Sequence, residues 1–279
     1  MKIFLTGGTG FVGSHFLRQG LAQNHEIVAL RRSEQSRPRI LLTQEPKWLD
    51  KTITEVEAGD LAGCTCLVHL AAHTANVPYD TLENCILHNV IDPLKLFRVA
   101  VAAGIKRFVV AGSCFEYGKA GERYEFIPPD APLEPTQSYS ASKAMASIAF
   151  TQFATEQGLS LSIHRIFQAY GEGEAAGRLW PSLVEAALAG RDFKLTPAEQ
   201  VRDFVPVEQV AADLLHALAL VVRPGEVLVE NIGTGREQRL RDFVEMVWRQ
   251  YGGVGALRFG ERAYCAGEVM RYVPLVKNA

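Results

Sequence analysis

The sequence predicts an α/β fold, a doubly wound parallel sheet with a smaller, discontinuous C-terminal lid. Short apolar, β-rich runs alternate with helical stretches through the first two-thirds of the 279 residues. Such alternation implies right-handed crossovers and a parallel sheet buried on both faces. The first apolar run leads directly into TGGTGFVGSH at residues 6–15, and after Gln168 the alternation loosens into shorter mixed pieces.

In chain order the strand candidates are KIFL, EIVAL, TEVEA, CLVHLAA, KRFVVAG and LSIHRI, with helical patterns at 14–23, 87–103 and 140–157 between them. GEGEAAGR then reads as a polar loop and 179–189 as a helix. RDFVPVEQVAADLLHALALV is a strand entry followed by a long helix, ENIGTG ends another strand, and LRDFVEMVWRQY is a further helix. This division puts the main domain at 1–167 plus 202–235 and the lid at 168–201 plus 236–279.

The glycine run has a physical reading. Gly7 permits a tight turn from strand to helix, and Gly10 lacks the Cβ that would keep a pyrophosphate from the backbone. Gly13 lets the helix pack closely on the sheet, and the amides of the turn opened by Phe11 and Val12 aim at the phosphates. The main domain is therefore expected to be a dinucleotide-binding Rossmann sheet. Ligands in such sheets sit at the carboxyl ends of the strands. The glycine turn, Ala71–Ala72, Ser113 and Gln168 all follow strand ends and should converge there.

A net charge of −2, with acidic and basic residues mixed along the chain, gives no electrostatic footprint for nucleic acid or an anionic membrane. No stretch approaches the ~20 apolar residues of a membrane span, and the N-terminus is already a strand, so a cytoplasmic protein is expected. The five cysteines (64, 66, 85, 114 and 265) lack metal-ligand spacing and read as reduced core residues, so no metal is expected.

Ser113, Tyr139 and Lys143 are the candidate catalytic residues. A ketone reduced by hydride needs a proton donor at its oxygen and groups that polarise the carbonyl. In SYSASK, Lys143 stands one helical turn beyond Tyr139 on the same face, where an ammonium would lower the phenol's pKa from ~10. Ser113 would hydrogen-bond the substrate oxygen.

With these motifs go GDL at 59–61, HLAA at 69–72, GSCFEYG at 112–118, RIFQAYG at 165–171, RDFVPVEQVA at 202–211 and NIGTG at 231–235. In this order the chain resembles the extended short-chain dehydrogenases/reductases, the NAD(P)-dependent epimerase/dehydratase family, and is closest in pattern to nucleotide-sugar 4-ketoreductases. The resemblance implies that Asp60 and Leu61 meet the adenine, that Leu70, Ala71, Ala72, Asn89 and Ile166 line the cofactor path, and that Lys143 holds the ribose. It also implies that Arg202 faces the diphosphate of a nucleotide-linked substrate, with Cys114, Phe115 and Gln168 on the substrate side. Without it, Arg202 reads as a surface partner of Asp203. Glu116 occupies a usually apolar position, with no catalytic role to give it. The family normally adds another helix after the segment matched by GERAYCAGEVMRYVP, so a short lid is expected of a chain stopping at Ala279.

A 2′-hydroxyl cofactor wants an acid at the end of the second strand, whereas a 2′-phosphate wants arginine. EIVAL runs into Arg31 and Arg32, so NADP(H) is expected. Dehydratases of the family carry acids just after the catalytic hydroxyl, where this chain has Cys114 and Phe115. The expected activity is NADPH-dependent reduction of a nucleotide-activated 4-keto-6-deoxysugar. The alternatives are a 4-epimerase with retained cofactor, a reductase of a small carbonyl compound, and a non-catalytic NADP-binding subunit. A homodimer is expected from apolar residues all round two helices: Leu94, Leu96, Phe97 and Val101 on one, Met145, Ile148, Phe150 and Phe153 on the other.

Overall fold

The computed structural model describes residues 1–264 and 268–277, so the expectation for Cys265 lies outside the described residues. The chain begins with β1 (Lys2–Thr6), α1 (Phe11–Ala22), β2 (Glu26–Arg31), β3 (Lys47–Asp50) and β4 (Cys66–His69). It continues through α2 (Leu82–Ile86), one π-helical turn at Leu87–Ile91, α3 (Asp92–Ala102), β5 (Arg107–Ser113), α4 (Ser138–Gln157) and β6 (Ser160–Ile166). Then come β7 (Gln168–Tyr170), α5 (Leu179–Leu188), β8 (Phe193–Leu195), β9 (Val201–Arg202), β10 (Phe204–Pro206) and α6 (Val207–His216). The last elements are β11 (Val227–Ile232), β12 (Gln238–Arg239), α7 (Leu240–Gln250), β13 (Leu257–Phe259) and β14 (Arg271–Tyr272).

Seven parallel strands form the main sheet in the order β11-β6-β5-β4-β1-β2-β3, a Rossmann-like arrangement. The pleat sends alternate side chains to opposite faces. Ile3 and Leu5 join the core beneath α1 and α6, with Phe16, Leu17, Val210 and Leu214. Phe4 joins the other core, beneath α3 and α4, with Phe97, Phe108, Phe150 and Phe153. Phe97 is the hub of that second face, its ring centroid 5.1 Å from Phe108 and 4.8 Å from Phe150. No helix among the described residues is long and apolar enough to cross a membrane.

The third strand differs from the sequence expectation. TEVEA forms no strand; only its Val56 reaches the core, and Lys47–Asp50 pairs with β2 at the sheet edge instead. KWLD is short and polar at both ends, as an edge strand tends to be, so it carries little hydrophobic signal. The four described cysteines are buried and unbridged, with Cys64 and Cys66 on opposite faces of the sheet.

The apolar helix residues proved less surplus than their pattern implied. Leu96, Phe97, Phe150 and Phe153 are buried against the sheet, and Leu94 and Val101 pack on the same core. Leu87, Ile91, Met145 and Ile148 remain exposed. A separate core joins α5 to α7 through Leu183, Ala187, Phe243, Val247 and Trp248. Phe204 of β10, a strand paired with β7 just beyond β6, stacks on Phe243 with centroids 3.9 Å apart and so ties this core to the β7–β10 pair.

Candidate active site

The glycine turn is built by backbone contact. Gly7 has φ +78°, and a Cβ on it would stand 2.5 Å from the Ala71 amide nitrogen. The turn can therefore lie against the end of β4 only with glycine there. At Gly13 a Cβ would fall 2.0 Å from the Gly7 carbonyl oxygen, so α1 packs on the turn without a side chain between. Gly10 is the N-cap of α1, makes no side-chain cap, and no acid occupies the first turn. The helix thus offers its first amides to an anion. Phe11 and Val12, partly exposed, open that turn.

Thr6 ties the adjoining strand end. Its hydroxyl lies 2.8 Å from Nδ1 of buried His69 and accepts the Ala71 amide at 3.4 Å. Burial, with Lys143 nearby, pushes the His69 pKa down to about 3, so this imidazole is neutral.

Ser113 ends β5, and Tyr139 and Lys143 lie on the first turns of α4, all three buried. Burial raises the Tyr139 pKa; the Glu116 carboxylate raises it further, and a hydrogen bond with Ser113 opposes the rise. The phenol is therefore held in its acid form, rather than lowered as the Lys143 spacing suggested. Lys143 instead donates from Nζ to the Ala111 carbonyl oxygen at 2.7 Å. Burial lowers the Lys143 pKa, and Glu116 acts against that. An ammonium has three N–H donors, and among the described residues Lys143 uses one. The remaining two suit a ribose diol.

Asn89 is a buried clamp within the π turn. Its Oδ1 accepts the His73 amide at 2.7 Å, and its Nδ2 donates to the Ser142 hydroxyl at 2.9 Å, fixing α4 to the chain leaving β4. Leu70, Ala71 and Ala72 follow β4 and Ile166 ends β6, so these positions do converge at the carboxyl ends of the strands. Asp60 accepts Lys51 Nζ at 2.7 Å and the Glu57 amide at 2.8 Å, both at Oδ2, which leaves Oδ1 unpaired among the described residues. The Leu61 side chain lies in the core.

Arg31 and Arg32 differ sharply. Parallel register sets Arg31 beside Asp50 of β3; its Nε reaches Asp50 Oδ1 at 2.5 Å, and its guanidinium lies 4.9 Å from the Trp48 ring centroid. The strand end thus has an acid after all, contributed by the neighbouring strand and already paired. Arg32 is exposed and has no hydrogen bond or ion pair among the described residues.

On the substrate side, Cys114 is buried, with its thiol pushed up to about 12 by burial and its Sγ 3.6 Å from Gln168 Oε1. Phe115 is half-exposed. Arg202 is mostly buried and paired with Glu268 at 3.3 Å, and it also donates to the Val269 carbonyl. It makes no pair with Asp203. That carboxylate is fully buried, accepting the Thr234 amide at 3.0 Å and the Gly235 amide at 2.6 Å, and anchors the turn after β11. Sequence reasoning missed Tyr79, whose ring stacks on Tyr139 with centroids 5.5 Å and planes 17° apart. It sits in an irregular loop with no periodicity to mark it.

This is the site of a dinucleotide-dependent enzyme class, and comparison agrees: residues 3–233 match the NAD dependent epimerase/dehydratase family. The chain belongs to that family. It is 27% identical to the CDP-abequose synthase of Salmonella muenchen, over 96% of this chain and 87% of that one. It is 26% identical to the UDP-glucose 4-epimerase of Corynebacterium glutamicum, over 88% and 79% of the two chains. Among solved structures, MoeE5 in complex with UDP-glucose and NAD superposes with a TM-score of 0.84 at 25% identity, covering 99% of this chain and 90% of that one. TunA, an NAD dependent NDP-hexosamine 5,6-dehydratase, gives 0.82 at 28% identity, covering 98% and 88%.

Proposed function

We propose that the protein reduces the keto group of a nucleotide-activated 4-keto-6-deoxysugar with NADPH. The observation that carries the reading is the buried Ser113–Tyr139–Lys143 group followed by Cys114 and Phe115. A proton donor is at hand, but neither Cys114 nor Phe115, the two residues directly after Ser113, can perform the acid–base steps that eliminate water: a thiol at about 12 stays protonated and a phenyl ring does not titrate. The bound dinucleotide supplies the hydride. Ser113 orients the carbonyl oxygen, Tyr139 gives that oxygen its proton, and Lys143 grips the cofactor ribose. Gln168, at the start of the lid expected at 168–201 and 236–279, and Arg202, just beyond that lid's first segment, would hold the nucleotide-linked end. Incubation with nucleotide-linked 4-keto-6-deoxysugars should oxidise one NADPH per sugar. Sugar isomerised with no net oxidation would favour the 4-epimerase reading instead.

The 2′-phosphate falls to Arg32, since Arg31 is committed to Asp50. NADPH is expected to bind at least about tenfold tighter than NADH, worth ~1.4 kcal/mol. Arg32→Ala should erase most of that preference in a binding titration, and equal affinities in the unmodified protein would overturn the choice of NADPH.

The assembly proposed is a homodimer. Leu87 and Ile91, 41% exposed, lie one helical turn apart, and Met145 at 42% and Ile148 at 63% do the same on adjoining α4. A second copy across a two-fold axis would bury both rows. Sedimentation at micromolar concentration should show a dimer, and Ile148→Lys a monomer. A monomeric unmodified protein would refute this.

A further inference from the structure

Glu116 has no part in the chemistry described so far, yet it is a fully buried carboxylate beside the catalytic serine. It closes the three-residue turn after β5. Its Oε1 accepts the Ser113 amide at 2.7 Å, while its Oε2 accepts the Ser147 hydroxyl at 2.6 Å and Arg165 Nε at 2.8 Å. Gly112 makes the room, because a Cβ there would stand 2.9 Å from Glu116 Oε1 and from Arg165 Cγ. Arg165 continues to the Tyr117 hydroxyl at 3.0 Å and the Pro129 carbonyl at 2.7 Å, and the Tyr117 hydroxyl donates to Asn231 Oδ1 at 2.6 Å.

A buried ion pair is a weak source of stability, because desolvation offsets most of the attraction. What this charge faces is more telling. Ser147 lies one helical turn beyond Lys143, so Glu116 reaches from the backbone of Ser113 to the helix that carries Tyr139 and Lys143. The titratable groups around it are Tyr139 and Lys143 on α4, Arg165 on β6, and Cys114 and Tyr117 in its own turn. From β4 the neutral His69 faces Lys143, and Arg202 of β9 and Tyr272 of β14 face Cys114.

We propose that Glu116 is a positioning residue for the reaction: it locks the turn that presents the Ser113 hydroxyl and supplies the buried negative charge facing Tyr139 and Lys143. Burial disfavours the charged form of Lys143, and a neutral amine would bind a ribose hydroxyl more weakly than an ammonium does. Glu116 opposes that loss, and the same charge keeps Tyr139 a phenol.

The proposal rests on dinucleotide binding but not on the identity of the sugar, so its test needs no sugar. Affinity of the whole protein for NADPH, read from nicotinamide fluorescence against pH, should fall on the alkaline side as Lys143 loses its proton. Glu116→Gln should move that limb at least about one pH unit lower, a tenfold change in proton affinity. Ser147→Ala, which removes a hydrogen bond and no charge, should leave it in place. Glu116→Asp, which keeps the charge on a shorter arm, should restore the limb. Should Glu116→Gln fail to fold with Arg165 unpaired, Glu116→Gln/Arg165→Met removes both charges, and the limb should still move lower, by less because the guanidinium's repulsion of Lys143 goes with it. A limb that stays put in either folded variant overturns the proposal alone. An unmodified protein that binds no NADPH overturns the cofactor choice, and the same titration with NADH then carries the test.

Discussion

Tyr139→Phe is expected to lower kcat by about 10²–10⁴-fold, the usual contribution of a positioned acid, while leaving dinucleotide affinity nearly unchanged. Only the hydroxyl is lost: the ring keeps its place against Tyr79, and Lys143 keeps its bond to Ala111. The loss should appear equally in kcat and kcat/KM, as for an interaction made only in the transition state. Lys143→Met should damage both turnover and cofactor affinity, since it removes the ammonium donors proposed to hold the ribose. Near-full reduction by Tyr139→Phe would mean that the acid lies elsewhere.

The second large effect is expected at the glycine turn. A Cβ at residue 13 would meet the Gly7 carbonyl at 2.0 Å, a backbone atom that cannot rotate away. Gly13→Ala must push α1 off the turn, which costs about 1–3 kcal/mol of stability and moves the amides meant for the pyrophosphate. We expect a lower melting temperature together with at least roughly tenfold weaker dinucleotide binding, the equivalent of ~1.4 kcal/mol. Gly59→Ala is the control, because a Cβ there meets nothing within 4 Å. Native affinity and melting in Gly13→Ala would contradict this account of the turn.

Much of the fold was legible because its signals are local. The glycine offsets, the alternation of strands and helices, and the Tyr139–Lys143 spacing can each be read within a few residues. What escaped depends on register across the sheet. Asp50 meets Arg31 only because Lys47–Asp50, a strand with hardly any apolar pattern, pairs beside β2. That contact commits Arg31 to Asp50 and leaves Arg32 exposed and unpaired among the described residues. The Glu116 network escaped for a related reason, since its partners Ser147 and Arg165 come from α4 and β6. The helix residues read as surplus show the opposite error: periodicity reports apolar character but not that a sheet already covers Phe97 and Phe150.

The most direct measurement is the fate of deuterium from NADPH labelled at nicotinamide C4, given to the protein with a nucleotide-linked 4-keto-6-deoxysugar. Hydride delivery to the keto carbon, with the proton from Tyr139 going to oxygen, leaves a deoxysugar alcohol carrying deuterium at carbon 4 and one NADP⁺ per product. Nuclear magnetic resonance of the product should show that label at stoichiometric yield, and its disappearance in Tyr139→Phe. A 4-epimer formed without net NADPH oxidation, or a product that has lost water, would contradict the reductase account.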